Sequence, residues 1–119
     1  MTVYLSGPMT GIKDFNRKGF AEAEDVLREH FGDKIAVVNP WKLGKALEDI
    51  FQKDGRGKPG YYDYLRYDVQ WLAQSDAVLL LPGFKKSNGV EIEMDVAGRL
   101  CIPAVRSIPE LETFMKMTK

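Results

Sequence analysis

The sequence is poor in the residues that build disulfides and zinc sites. Cys101 is its single cysteine and His30 its single histidine among 119 residues. An internal disulfide and a cysteine-rich zinc site are therefore excluded. A lone cysteine in such a chain is expected to be a small apolar residue of the core. We expect no metal and no other cofactor.

Net charge and long apolar runs are missing as well. Lys and Arg together number 17, as do Asp and Glu, so no basic field exists to attract a nucleic-acid polymer. Nothing approaches the roughly 18–20 consecutive apolar residues that a membrane span requires. No basic segment followed by an apolar run opens the chain, which makes a cytoplasmic protein without a membrane partner the expectation.

What is present is an ordinary globular composition, 45% hydrophobic and 29% charged, that predicts a single domain over residues 1–119. Four short and nearly continuous apolar runs are typical of strands buried on both faces. They are Val3–Ser6, Ile35–Asn39, Ala77–Pro82 and Ile102–Val105. Helical patterns fall between and after them, at about 16–30, 42–52, 61–75, 89–100 and 109–117.

This alternation predicts an α/β fold, a Rossmann/flavodoxin-like three-layer sandwich with a parallel sheet of four to five strands flanked by helices. Ligands of such sheets bind beyond the carboxyl ends of the strands. Three of these ends are rich in Gly, Pro and small polar residues: "SGPMTG", "NP" and "LPGFKKSNG". The first lacks the G-x-G-x-x-G spacing of a dinucleotide-binding turn.

A fourth irregular segment, residues 52–62, contains three glycines, a proline and the cations Lys53, Arg56 and Lys58. It is predicted to be a mobile loop. Two interpretations stay open for it, a plain surface connection and a basic lid over an anionic ligand.

The helix after the third predicted strand carries three acids, Glu91, Glu93 and Asp95. At roughly 100° per residue, Glu91 and Asp95 lie on the polar arc, whereas Glu93 lies inside the apolar stripe. Asn88 and Glu91 have the spacing of a capping box, which gives Glu91 a structural role. Because an unpaired carboxylate facing a core is costly, Glu93 is a candidate for chemistry.

The preceding helix gives a parallel result. In "YYDYLRYDVQWLAQSD", Asp68 falls near the centre of the apolar stripe, while Asp63 and Arg66 point away. Two helices thus each direct one acid inward. A pair of inward carboxylates beside a Gly- and Ser-rich cleft suits glycosidic chemistry, in which one acid attacks the anomeric carbon and another assists the leaving group.

The motifs "VYLSGP", "YDVQWLAQSDAVLLL" and "SNGVEIEMDVAG" resemble the nucleoside 2-deoxyribosyltransferase superfamily. The likeness runs from Val3 to about Val105 and is strongest to the 2′-deoxynucleoside 5′-phosphate N-hydrolase branch. The resemblance implies that Glu93 is the nucleophile attacking C1′, that Tyr4 orients it, and that Asp68 helps the base leave.

The resemblance also implies a substrate-binding set, in which Ser87 contacts the 5′-phosphate and the first loop lies on the phosphate side. Its members are Ser6, Gly7, Pro8, Asn39, Ser87 and Gly89. The hydrolases of this branch usually have an arginine in the first loop, whereas Lys13 is the nearest cation here. Many relatives complete the pocket with a neighbouring subunit, so a homodimer or higher homo-oligomer is expected.

The expected function is cleavage of the N-glycosidic bond of a (2′-deoxy)nucleoside 5′-monophosphate through a glycosyl-enzyme intermediate on Glu93. Transferases of the superfamily carry an acid at the position of Ser87, which favours hydrolysis. Two alternatives stay open, base exchange between deoxynucleosides and a non-catalytic nucleotide-binding module.

Overall fold

The computed structural model describes residues 1–118. Four strands are present, β1 (Thr2–Ser6), β2 (Ala36–Val38), β3 (Ala77–Leu80) and β4 (Ala104–Val105). Five α-helices flank them, α1 (Arg17–Phe31), α2 (Pro40–Lys53), α3 (Tyr61–Ala73), α4 (Asn88–Arg99) and α5 (Ile108–Met117). Short 3₁₀ turns occupy Lys13–Asn16, Gly32–Lys34 and Phe84–Lys86.

The strands form one parallel sheet in the order β2-β1-β3-β4. The predicted α/β architecture with a parallel sheet is therefore confirmed, and the strand number is four. The two central strands are paired in register, with Tyr4 opposite both Val38 and Val78. The edge strands are shorter than the apolar runs that predicted them.

The central strands bury both faces, because alternate side chains point into two separate cores. Val3, Leu5 and Leu79 pack toward α1 and α5. Tyr4 and Val78 pack on the opposite face, against side chains of α3 and α4. The helices thus form two layers around the sheet, as in a Rossmann/flavodoxin-like sandwich.

The strand order creates a cleft between β1 and β3. The chain passes from β1 through α1 to one edge strand, and from β3 through α4 to the other edge strand. The connections after β1 and β3 therefore diverge in opposite directions, which leaves a crevice at the carboxyl ends of these two strands.

Two local predictions about α4 were wrong. Its N-cap is Ser87, whose side chain accepts a hydrogen bond from the Val90 amide at 3.2 Å, and not Asn88. Cys101 is exposed instead of buried. It follows the helix in the left-handed conformation, with φ +58°, and the Ile102 amide bonds to the Ala97 carbonyl at 2.8 Å, the bond pattern that ends a helix with such a residue.

The connection from α2 to α3 is residues 54–60, because α2 continues to Lys53 and α3 begins at Tyr61. The predicted loop at 52–62 is thus two residues shorter at each end. Within the described part of the chain, no helix has the length and apolar character needed to cross a membrane.

Candidate active site

A cavity of about 420 Å³ opens at the carboxyl ends of β1 and β3, where the strand order predicts a ligand site. Its floor and one rim come from α4, a wall comes from α2 and α3, and the loop after β1 closes another side. The lining residues that the sequence had singled out are Gly7, Asp68, Ser87, Gly89 and Glu93.

Glu93 lies at the floor of this cavity and is 6% exposed. Each of its carboxylate oxygens accepts one hydrogen bond from β1. The Tyr4 hydroxyl donates to Oε2, and the Ser6 hydroxyl donates to Oε1 at 2.8 Å. The helix-angle prediction that Glu93 points inward therefore agrees with its position. Its neighbours Glu91 and Asp95 are exposed, and Asp95 pairs with Arg99 at 3.2 Å.

Burial raises the pKa of Glu93 to about 7, although the hydrogen bonds from Tyr4 and Ser6 lower it. Burial likewise raises the pKa of Asp68 to about 8, and the charge of Glu93 adds to that rise. Among residues 1–118, no hydrogen bond opposes the rise at Asp68. As the pH rises, Glu93 therefore ionises before Asp68, so the singly ionised pair carries its negative charge on Glu93 and its proton on Asp68.

Tyr4 and Ser6 are positioning groups for Glu93. Both are fully buried, and they lie two residues apart on β1, so their side chains point to the same face of the sheet. Burial, together with the charges of Glu93 and Asp68, raises the pKa of Tyr4 well above its usual value, which keeps its hydroxyl protonated as a donor. The geometry thus gives Ser6 a contact with Glu93 in place of the expected contact with substrate.

Ser87 and Gly89 form the rim of the cavity at the N-terminus of α4. The Ser87 oxygen accepts the bond from the Val90 amide, and its own hydrogen is free to be donated into the cavity. A Cβ built on Gly89 would lie 4.0 Å from the Tyr61 hydroxyl, so α3 borders the same rim. First-turn amides and the helix dipole favour an anion here.

The loop after β1 passes close to the loop after β3. A Cβ on Gly7 would lie 2.9 Å from the Leu81 Cβ, a distance that side chains do not tolerate. Pro8 and Gly83 form a second close approach between these two loops, since a Cβ on Gly83 would lie 3.2 Å from the Pro8 ring. Gly7 lines the cavity, and Pro8 supports the wall behind it.

Asn39 does not line the cavity. It is 5% exposed and caps α2 by accepting a hydrogen bond from the Trp41 amide at 3.0 Å. Its amide nitrogen donates to the buried Glu24 at 3.1 Å. Arg28 and Lys42 also donate to Glu24. Asn39 therefore fixes the start of α2, and the structure gives it no place against a ligand.

Glu24 is a buried acid that the sequence reasoning missed. It stands in α1 between Phe20 and Leu27, which are both fully buried. The helical spacing of these three residues puts Glu24 within the apolar stripe, so the same angular test that identified Glu93 would have found it. Burial raises and three hydrogen bonds lower its pKa, with a net decrease.

The Glu48–Tyr64 pair in the wall made by α2 and α3 was also missed. The Tyr64 hydroxyl donates to Glu48 Oε2 at 2.9 Å, and both residues line the cavity. Trp41 belongs to this wall too. Its Nε1 donates to the Asp14 carbonyl at 3.0 Å, and the charged groups of Arg17 and Lys45 each lie 5.1 Å from its ring centre.

Of the three cations in the predicted loop at 52–62, one lines the cavity. Lys58 lines it, whereas the guanidinium of Arg56 stacks on the Phe51 ring at 3.9 Å and Lys53 belongs to the last turn of α2. In residues 1–118, no group of three His, Cys, Asp or Glu side chains is placed to hold a metal ion.

Comparison with known proteins gives one family and no individual relative. No curated protein and no solved structure matches the chain. Residues 1–106 match the model of a domain of unknown function, DUF4406, and the chain belongs to that family.

Proposed function

We propose that the protein cleaves the N-glycosidic bond of a nucleoside 5′-monophosphate, preferably a 2′-deoxy one, with Glu93 as nucleophile. The observation that carries the proposal is the unequal treatment of two buried acids in one cavity. Glu93 accepts two hydrogen bonds, which favour its charged form, while burial and that charge keep a proton on Asp68. Two neighbouring carboxyl groups with different protonation states suit a nucleophile and a general acid.

In the first step, a Glu93 oxygen forms a bond to C1′ as the bond from C1′ to the base nitrogen breaks. The electron pair of that bond goes to the base, and Asp68 supplies the proton that the departing base takes up. The product is a glycosyl ester on Glu93 with Asp68 now ionised.

In the second step, water attacks C1′ and gives a proton to Asp68. The ester bond breaks, and Glu93 leaves as a carboxylate. Both acids return to their starting states, as a retaining glycosidase mechanism requires. Tyr4 and Ser6 are buried and do not line the cavity, so their hydroxyls can donate to Glu93 without contacting the substrate.

The 5′-phosphate is assigned to the rim formed by Ser87 and Gly89. A helix N-terminus is favourable for a phosphate, and Lys58 also lines the cavity as a cation. This assignment favours nucleotides over nucleosides.

Base exchange uses the same first step and would differ only in the acceptor. Adding a second free base therefore distinguishes base exchange from hydrolysis by the appearance of a new nucleotide.

Glu93→Gln tests the proposal. The variant keeps the size of the side chain but removes the nucleophile, and we expect a loss of base release of roughly 10³-fold or more, the scale of removing a unit of the catalytic machinery. Free base would be followed by chromatography over a panel of nucleosides and 5′-monophosphates.

The matched control is Glu91→Gln, the same change two residues earlier on α4, at an exposed position. It should keep wild-type turnover. Near-full turnover in Glu93→Gln, or an equal loss in both variants, would contradict the assignment. Binding of nucleotides without release of base from any of them would instead favour a non-catalytic binding module.

The expected homo-oligomer and the cytoplasmic location belong to the same proposal. Exposed aromatic side chains border the cavity, with Phe15 61% and Tyr61 50% exposed. A second subunit covering them would restrict the access of water.

A further inference from the structure

The wall of the cavity formed by α2 and α3 contains a carboxylate that the glycosidic chemistry does not use. Glu48 lines the cavity together with Asp68 and Glu93. Its two oxygens have different surroundings, and that difference suggests what it could recognise.

Glu48 Oε2 is occupied, because it accepts the hydrogen bond from Tyr64 at 2.9 Å. Glu48 Oε1 lies 3.6 Å from the Lys45 ammonium, a distance that leaves an ion pair but not a hydrogen bond. Among residues 1–118, no group donates a hydrogen bond to Oε1. Glu48 Oε1 is thus held in a fixed orientation and can accept a hydrogen bond from a ligand.

Tyr64 keeps this carboxylate in place as a donor. Burial and the contact with Glu48 raise the pKa of Tyr64 to about 12, so the phenol stays protonated at working pH. The ring of Tyr64 is itself supported by α2, since a Cβ on Gly44 would lie at 3.7 Å from it.

The spacing of Tyr64 and Asp68 along α3 is comparable to the width of a base. Tyr64 and Asp68 are four residues apart on α3, and one helical turn separates them by about 6 Å along the helix axis. If Asp68 protonates the base at or near its glycosidic side, the opposite edge of that base lies about one helical turn away. Leu65, which also lines the cavity, offers an apolar contact between the two positions.

Charge sets the orientation of the ligand. A 5′-phosphate is attracted by the N-terminus of α4 at Ser87 and Gly89, whereas the wall at Glu48 offers it a carboxylate whose charge the Lys45 ammonium at 3.6 Å only partly offsets. The phosphate therefore belongs at the α4 rim and the base at the wall of α2 and α3.

We propose that Glu48, oriented by Tyr64, reads the edge of the base and selects bases that present an exocyclic amino group. A carboxylate accepts hydrogen bonds and cannot donate them, so an amino group is a good partner and a carbonyl at the same position is not. The inference rests on the proposed function for its placement of the base, and it adds the substrate class: nucleotides of adenine, cytosine or guanine.

The test uses two matched pairs of nucleotides that differ in one group. They are 2′-deoxyadenosine against 2′-deoxyinosine 5′-monophosphate, and 2′-deoxycytidine against 2′-deoxyuridine 5′-monophosphate. Affinity would be measured by calorimetry with the wild type and with Glu93→Gln, which separates binding from turnover. We expect the amino member of each pair to bind roughly tenfold tighter or more, the usual range for one edge contact.

Glu48→Gln should lower or reverse this ratio. The Tyr64 hydroxyl would hold the amide oxygen of the new side chain, which turns its NH₂ group toward the base and favours a carbonyl. Asp49→Asn is the matched control, since it makes the same kind of change at the next, exposed position of α2 and should leave the ratio unchanged. A role for Glu48 in joining α2 to α3 alone would weaken all four nucleotides equally.

The outcomes separate this inference from the proposed function. If the preference for amino-bearing nucleotides depends on Glu48 but no base is released, the inference is supported and the proposed glycosidic reaction is overturned. Base release that depends on Glu93 with equal affinity for the amino and carbonyl members overturns the inference and leaves the chemistry in place. Failure of all four nucleotides to bind overturns both.

Discussion

The hydrogen bonds from β1 to Glu93 decide which of the two acids in the cavity carries the charge. Glu93 and Asp68 both have their pKa values raised by burial, to about 7 and about 8. Without the hydroxyls of Tyr4 and Ser6, nothing among the described residues would favour ionisation of Glu93 over Asp68. The assignment of Glu93 as nucleophile and Asp68 as acid thus depends on two buried side chains that do not line the cavity.

Ser6→Ala tests this dependence. The hydrogen bond from Ser6 lowers the pKa of Glu93, so its removal raises that pKa. Activity requires ionised Glu93 and protonated Asp68, so base release should rise with pH through the pKa of Glu93 and fall through that of Asp68. We expect the acidic limb of kcat/KM against pH to move to higher pH in Ser6→Ala, while the alkaline limb moves far less.

Ser75→Ala serves as the control for the loss of a buried serine. Ser75 is 6% exposed and donates to the Trp71 carbonyl at 2.8 Å, at the end of α3. Its variant should lose some stability and keep the wild-type pH profile. An acidic limb that stays in place in Ser6→Ala would show that this hydroxyl does not tune Glu93.

At the same scale, sequence reasoning succeeded where a regular period decides the answer. Helical angle separated Glu93 from Glu91 and Asp95 because the direction of a helical side chain depends on position alone. It could not assign the partner of Ser6, since that contact joins residues 87 positions apart. Cys101 was mispredicted because the helix ends before it, and a residue in a left-handed turn no longer follows the apolar stripe.

Among the elements, α4 combines a structural and a functional end. Ser87 caps its first turn, and the same residue borders the cavity where the phosphate is proposed to bind. Replacing Ser87 by alanine would change capping and phosphate binding together, because losing an N-cap also costs about 0.5–2 kcal/mol of stability.

Ser87→Asp separates these roles. Aspartate is as good an N-cap as serine and complements the helix dipole, so the melting temperature should stay near that of the wild type. Its charge, however, repels a phosphate at the rim. We expect affinity for 5′-monophosphates to fall by roughly tenfold or more through this like-charge contact, while affinity for the corresponding nucleosides changes little.

Ser107→Ala provides the comparison for loss of a cap alone. Ser107 caps α5 by accepting a hydrogen bond from the Glu110 amide at 3.3 Å, and it does not line the cavity. This variant should melt earlier and bind nucleotides and nucleosides as the wild type does. An unchanged ratio of nucleotide to nucleoside affinity in Ser87→Asp would remove the phosphate from this rim.

The contact between α2 and α3 could not be predicted from the sequence, although both helices could. Both helices were expected from their apolar periods, but the meeting of Glu48 with Tyr64 depends on how the connection at residues 54–60 returns the chain. The periodic pattern of α2 does not encode that path. A contact between two helices is fixed by packing, and it becomes visible once the helices are placed.

For the whole molecule, the strand order explains why one cavity gathers residues from so many segments. The connections after β1 and β3 diverge at the centre of the sheet, and the crevice between them receives side chains from both directions. The alternation of apolar runs with helical periods was sufficient to predict this class of fold. The closeness of the two loops was not encoded in that pattern, because it depends on the absence of a side chain at Gly7.

Gly7→Ala tests how much the cavity depends on this approach. The new methyl group would lie 2.9 Å from the Leu81 Cβ and 3.1 Å from its Cδ1. A Cβ is fixed to the backbone, so the ends of β1 and β3 must move apart, and such overpacking typically costs about 1–3 kcal/mol. Because Ser6 is the adjacent residue, its hydrogen bond to Glu93 should loosen at the same time.

We therefore expect Gly7→Ala to lower both the melting temperature and base release at saturating substrate. Gly98→Ala is the matched control, since a Cβ there meets nothing within 4 Å. Because position 98 lies within α4, the Gly98→Ala variant should have a free energy of unfolding about 0.5–1 kcal/mol higher than that of the wild type, with unchanged turnover. If Gly7→Ala melts and turns over as the wild type does, the two loops can separate without disturbing Glu93. The alignment of the nucleophile would then be a property of β1 and α4 alone.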